Sequence, residues 1–397
     1  MGNVYSGNLI RFYATVFLAV VTDTTLYLSV PLYAHSMGAS QIEIGLIGAV
    51  FWAAQIPFQT LFGRFSSLRT QRFLSLIGIG GNGFLTIFFP FSKNIWSLVI
   101  IRFLQGIFDS AFWMGTRYVA SEEAPRSRVG EVMGLYGVSM GLAGMLGPFL
   151  SGYIINGYGF LYSFIMTITF STLALFPMSI GWKTRRPIES DDRRGENRSN
   201  DERSLKDKKH ETRILWIACM PLFVWGLGAG IANSIFPVYL NILSFPSTDI
   251  GIILAVRSVA QLTSQWIGGK LSDRFDRTLL AALGVALSIT IGAIPLVSSF
   301  SGFSVVLSVA SFGVGISYTA GLTLISDLSR KRKGIGYGLF GAASTAGMAF
   351  GAQVGGATAQ YLSLTAPYYI ASAITALVAS VLFYLHIKTV GSTRNPP

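Results

Sequence analysis

The chain has 397 residues, 51% hydrophobic and only 12% charged, with a mean hydropathy of +0.54. A soluble domain carries about 25% charged residues, so this composition excludes one and describes an all-α polytopic membrane protein with room for about twelve spans. The net charge of +12 raises the question of nucleic acid, but the basic residues lie between apolar runs, where membrane topology places them, so no nucleic-acid partner is expected.

The first apolar run, 9–34, is longer than a signal-peptide core and contains Asp23, so it reads as a retained span. Runs at 42–62, 72–91, 95–119, 130–155 and 160–182 complete a first bundle of six helices, 1–182. A linker, 183–213, mixes both charge signs with almost no apolar residue and reads as a solvated tether. Runs at 214–241, 248–269, 278–298, 302–326, 334–360 and 366–387 form a second bundle, 214–397, with a short tail.

Orientation follows from the loops. Arg64, Arg69, Arg72, Arg126, Arg128, Lys270, Arg274, Arg277 and the run from Arg330 to Lys333 all fall on one side, and only Lys93 falls on the other. The positive-inside rule then puts both termini and the linker in the cytoplasm of a cell whose plasma membrane holds the protein.

The two halves repeat. Ile44, Gly45, Gln55, Gln59 and Gly63 match Ile250, Gly251, Gln261, Gln265 and Gly269 at an offset of 206, as do Pro31 and Tyr33 with Pro237 and Tyr239. Gly134, Gly137, Gly147 and Gly152 match Gly338, Gly341, Gly351 and Gly356 at an offset of 204. A parallel repeat of six spans suits two bundles related by a pseudo-two-fold axis that rock about a shared midplane site.

Three stretches carry a family likeness. Arg102, Gln105 and Gly106 open span four; Gly141, Gly144, Gly147, Pro148 and Gly152 run through span five; Gly269, Asp273, Arg274 and Arg277 follow span eight. Together they resemble the major facilitator superfamily over essentially the whole chain. The resemblance implies a fourth-helix motif of proton-coupled members, a fifth-helix motif associated with proton antiporters, and a cytoplasmic loop motif that recurs after the second and eighth helices. The first copy of that loop has Ser67 where an acid is expected.

Charges inside spans are costly and usually functional. Counting about 1.5 Å per residue puts Asp23 and Arg102 at one level, about 10 Å below the outer surface. In the resembled fold helices one and four both line the cavity, so an Asp23–Arg102 ion pair is expected, released when Asp23 takes a proton. Asp109 lies two turns from Arg102 and is expected to stand apart, as a second carboxyl able to load and unload a proton or to touch substrate. Arg257 sits at mid-span where the repeat has Phe51; unneutralised it would favour an anion, and paired it would be structural.

The span-five glycines read as a close-packing pivot or seal, bent by Pro148. Asp273 is expected to meet a helix N-terminus, and Arg274 and Arg277 to meet acids or lipid phosphates. Tyr27, Gln105, Phe112, Trp113, Tyr136, Asn233, Phe236 and Tyr318 are candidate cavity residues, together with Phe108 and Trp225.

Other chemistry finds no support. Cys219 is the only cysteine and the three histidines lack ligand spacing, so no metal or cofactor is expected. The stretch from Gly78 to Gly83 fits G-x-G-x-x-G but lies inside an apolar span with no preceding strand. There is no Walker A lysine motif and no nucleophile constellation, so the chain is not read as an enzyme. The expected function is proton-driven export of small, largely apolar compounds by a monomer in the bilayer. The alternatives are a proton symporter importing a sugar or organic anion, and a membrane enzyme or sensor.

Overall fold

A computed structural model describes residues 6–65, 67–125, 128–180, 205–272, 274–328 and 333–394, with side chains left aside at 129–130, 205–217, 325–328, 333–340 and 389–394. Asp273 and most of the linker, 181–204, lie outside the described residues.

Helices begin where polar caps satisfy the first backbone N–H groups. Ser6 caps α1 (Gly7–Ser36), and Ser40 and Glu43 form a reciprocal capping box on α2 (Gln41–Phe62). α3 (Leu68–Thr86) continues into a 3-10 turn at Phe89–Phe91. Asn94 caps α4 (Ile95–Glu123) through a 2.9 Å bond from the Ser97 amide. α5 (Val129–Tyr158) ends at Gly159, whose φ of 89° lets the chain reverse directly into α6 (Phe160–Ser179).

The second half follows the same order. α7 (Leu205–Ser234) is interrupted at Ile235, just before α8 (Phe236–Ile242). Pro237 lacks the N–H that would bond the Asn233 carbonyl, so the span is built from two helices where a single one was expected. α9 (Ser247–Ser272) is followed by α10 (Arg277–Ser288), capped by Asp276 and extended by a 3-10 segment, Ile289–Leu296. α11 (Phe300–Leu328), α12 (Lys333–Tyr361) and α13 (Ala366–Arg394) complete the chain.

Among the described residues eleven helical segments are long and apolar enough to span a bilayer. The remaining long helix, α12, is rich in glycine and alanine and packs between α7 and α2. Large apolar side chains face outward along the spans, among them Phe73, Trp96, Trp266 and Leu377, as a lipid-facing surface requires.

The halves meet chiefly at two crossings, α2 with α12 and α5 with α9, with smaller contacts of α1 on α7 and α8 and of α2 on α7. Both are closest at the end of the bundle remote from the basic loops. A Cβ on Gly45 would lie 2.9 Å from the Gly356 Cα, and one on Gly152 would lie 3.1 Å from the Gly251 Cα. By the internal repeat these two glycine pairs are the same contact, made twice. Toward the basic end α5 loosens: Gly141 still packs on Leu262, whereas Gly134 and Gly137 have nothing within 4 Å of a Cβ position.

Candidate functional site

The strongest concentration of buried charge lies inside the first half. Asp23 on α1, Arg102 and Asp109 on α4 are 4%, 4% and 1% exposed. Asn82 on α3 donates to Asp23 Oδ1 at 2.7 Å, and Gln55 on α2 donates to Asp109 Oδ2 at 2.8 Å. Gln59, one turn along, donates in turn to Gln55 at 3.1 Å. Each aspartate keeps one buried oxygen without a donor, Asp23 Oδ2 and Asp109 Oδ1. Both carboxyl groups are buried within the first half, each held by one side-chain amide donor. Two buried carboxylates and one buried guanidinium leave a net negative charge unless one acid carries a proton.

Arg102 is arranged differently from the expected ion pair. Its Nη1 donates to Gln105 at 3.0 Å and its guanidinium lies 3.8 Å from the centre of the Phe51 ring, while its Nε has no acceptor. Among the described residues it makes no ion pair with Asp23. The reason is height. Counted from the basic end, Asp23 stands 16 residues into α1, Asp109 14 residues from the end of α4, and Arg102 21 residues from it. Asp109, expected to stand apart, is therefore the residue level with Asp23. Arg102 sits two turns above.

Several residues expected at a cavity wall are interior packing. Gln105 is fully buried and donates to the Asn82 carbonyl and to Thr86, tying α4 to α3. Phe112 packs under Gly78, and Tyr136 stacks on Phe12 at 5.7 Å and bonds Thr116. Phe236 is enclosed by Phe303 and Tyr368. Aromatic rings at helical spacing fill cores as readily as cavities, and their sequence pattern is the same in both. Trp113 packs on Phe112, while Tyr318 stacks against Trp225 at 4.9 Å.

Two narrow cavities stand out among the described residues. One, between the halves, is lined by Tyr27, Trp52, Arg102, Asn233 and neighbouring apolar residues. The other, inside the second half, contains Arg257. Arg257 Nε donates to Ser311 at 3.2 Å and Nη1 to the Asn233 side chain at 3.1 Å. Asn233 thus stands on the wall between the two.

The motif glycines divide between partners. Gly147 packs against Thr24 and Thr25 of α1 within its own half, whereas Gly141, Gly144, Gly152 and the Pro148 carbonyl face α9 in the other. In the loop after α9, Gly269 lies by Thr319, Arg277 bonds the Ser272 carbonyl at 3.4 Å, and Arg274 is exposed. Asp276 there caps α10 and pairs with His386 at 2.9 Å.

Asn82 had a readable signal: an amide in the middle of an apolar span. It sits among the glycines Gly78 to Gly83, which pack on α4 and α6 and leave room for it.

The description "Major Facilitator Superfamily" matches residues 12–244 and again 219–397. The chain belongs to the major facilitator superfamily. It is a multi-pass membrane transporter and not an enzyme. An uncharacterized MFS-type transporter of Methanocaldococcus jannaschii is 27% identical over 391 residues, 94% of this chain and 98% of that one. The quinolone resistance protein NorA of Staphylococcus aureus is 26% identical over 174 residues, 42% of this chain and 44% of NorA. In fold, this major facilitator superposes on a bacterial homolog of the human lysosomal transporter Spinster, inward-facing and unoccupied, with a TM-score of 0.71 at 13% identity over all of both chains. It also superposes on the nucleoside transporter NupG, with a TM-score of 0.73 at 10% identity over 95% of this chain and 99% of NupG. These two likenesses concern the fold alone.

Proposed function

We propose that the protein is a proton-coupled secondary transporter that exports small, largely apolar compounds by alternating access. It works as a monomer in the cell membrane, with its basic loops and both termini in the cytoplasm. The observation that carries this reading is the buried carboxyl pair, Asp23 and Asp109, beside Arg102.

Two carboxylates and one guanidinium sum to a single negative charge, and one proton makes the cluster neutral. An uncompensated charge in hydrocarbon is costly, so loading or losing that proton changes the relative free energy of states that enclose the cluster and states that hydrate it. α1 and α4 carry the two acids, so the proton bears directly on how these helices sit. The glycine pairs Gly45–Gly356 and Gly152–Gly251 close the outer end and the looser α5 opens the inner end, a geometry suited to one side of an alternating cycle.

Export is favoured by the span-five pattern from Gly141 to Gly152, with Gly147 and Pro148 at its core, and by the partial likeness to the quinolone resistance protein NorA. A second reading, a proton symporter importing a sugar or organic anion, is favoured by Arg257. The two are separated by flux in inverted and right-side-out vesicles under an imposed pH gradient, across neutral, cationic and carboxylate compounds. Substrate should accumulate in inverted vesicles when their lumen is acidic. Accumulation in right-side-out vesicles driven by an inward proton gradient would select symport, and flux indifferent to the gradient would overturn proton coupling.

A further inference from the structure

Among the described residues Arg257 has no carboxylate partner. From residue 218 to 388 the sequence has four acids, Asp249, Asp273, Asp276 and Asp327, all at span ends. The one on its own helix, Asp249, is eight residues away, about 12 Å along the axis. Among the described residues no carboxylate pairs with Arg257, and both hydrogen-bond partners, Asn233 and Ser311, are neutral. A guanidinium has five N–H groups in a planar fork, so three are left without a protein acceptor.

The fork lies in a narrow, mostly apolar cavity. Its walls are Leu227, Ala229, Ile291, Leu307 and Val314, with Ser288, Ser311 and Thr375 as polar members near the arginine. Gly228 leaves one wall open, since nothing lies within 4 Å of a Cβ placed there. The Ser311 hydroxyl accepts from Arg257 and keeps its own hydrogen to donate. Asn233 holds the other edge of the guanidinium and also lines the cavity between the halves, so the cationic end adjoins that space.

We infer that Arg257, Asn233 and Ser311 form the head-group site for a small amphiphilic organic anion, with one carboxylate, sulfonate or phosphate on an apolar body. A planar fork with free parallel N–H groups matches such oxyanions, and the apolar walls match the body. A cation would meet uncompensated positive charge, and a neutral compound would leave the fork unpaired. The inference rests on the transporter reading of the cavity and holds for export or import.

The test uses the purified full chain in nanodiscs of neutral lipid, without a pH gradient, and three probes that share one body: phenylbutanoate, phenylbutanamide and phenylbutylamine. The carboxylate should raise the thermal unfolding midpoint in a dose-dependent way, and the amide and amine should not. R257Q should weaken carboxylate binding about tenfold or more and R257K by less, because lysine keeps the charge but loses the fork. Should R257Q fail to fold, S311A should weaken the carboxylate alone by a few fold. The inference is overturned if amide or amine stabilises as well as carboxylate, or if R257Q and S311A both leave carboxylate binding unchanged. It is also overturned if neither phenylbutanoate nor its longer-chain homologues stabilise the protein. Because no gradient is applied, a failure of proton coupling in vesicles would overturn the functional reading above and leave the anion result standing.

Discussion

The two halves share one backbone plan and place opposite electrostatics on it. At the offset of 206, Tyr27, Phe51, Asn82 and Gln105 of the first half correspond to Asn233, Arg257, Ser288 and Ser311 of the second. These positions surround the polar interior in both. The charged residues do not correspond: Asp23, Arg102 and Asp109 are matched by Ala229, Ser308 and Gly315. In the first half the ring of Phe51 lies against Arg102; in the second, Arg257 stands at the Phe51 position itself. Duplication of a helical frame therefore fixes where polar groups can be buried, while their sign is set independently in each half. In the proposed cycle one interior would gain or lose a proton, and the other would present a fixed positive charge.

The sharpest break in this comparison is removal of titration from one half only. Asp109→Asn and Asp23→Asn should each lower gradient-driven transport by about a hundredfold, while the protein remains folded. Retention of full coupled flux in either variant, measured in vesicles under an imposed pH gradient, would remove the carboxyl pair from the mechanism. Next come the shared contacts. Gly152→Leu or Gly45→Leu forces a side chain into a backbone crossing and should cut transport at least about tenfold, with a destabilisation of about 1–3 kcal/mol readable in the thermal midpoint. If the two crossings are equivalent, the two variants should behave alike.

Smaller effects are expected from the amides. Asn82→Leu and Gln55→Leu each leave one aspartate oxygen without its donor and should reduce coupled flux about fivefold to tenfold, whereas Gln261→Leu, the repeat partner of Gln55, should have less effect. The smallest effect should come from Asp276→Ala. It removes the α10 cap and the His386 contact and should cost about 1 kcal/mol of stability, with coupled flux unchanged.

Much of the architecture was legible because a bilayer leaves few options. Charge between apolar runs marked the spans, and glycines at a constant offset marked the repeat. The interruption at Ile235 was less visible, since Pro31 occupies the matching place in α1 without breaking it. At the site, the residues Asp23, Arg102 and Asp109 could be picked out by the cost of burying them. Their pairing could not: height estimated from an assumed membrane boundary joined Asp23 to Arg102, and the helix ends actually present join it to Asp109. Phe112, Tyr136 and Phe236 show a different limit, because an aromatic side chain carries no mark that separates a core from a cavity wall.

The two glycine crossings have a mechanical consequence. The two main crossings define a line, and a bundle turning about that line would move least near the glycines and most at its far tips. α2 has 22 residues from Gln41 to Phe62, so its tip stands about 33 Å from its start. A turn of about 10° about an axis near Gly45 would carry the Phe62 end through about 5 Å, roughly the pitch of one helical turn. Backbone laid on backbone offers no long side chains that must change rotamer during such a turn. In the proposed alternating-access cycle the outer glycines would be the fulcrum of a lever whose long arm reaches the basic face, where the angle they permit would become the width of an opening.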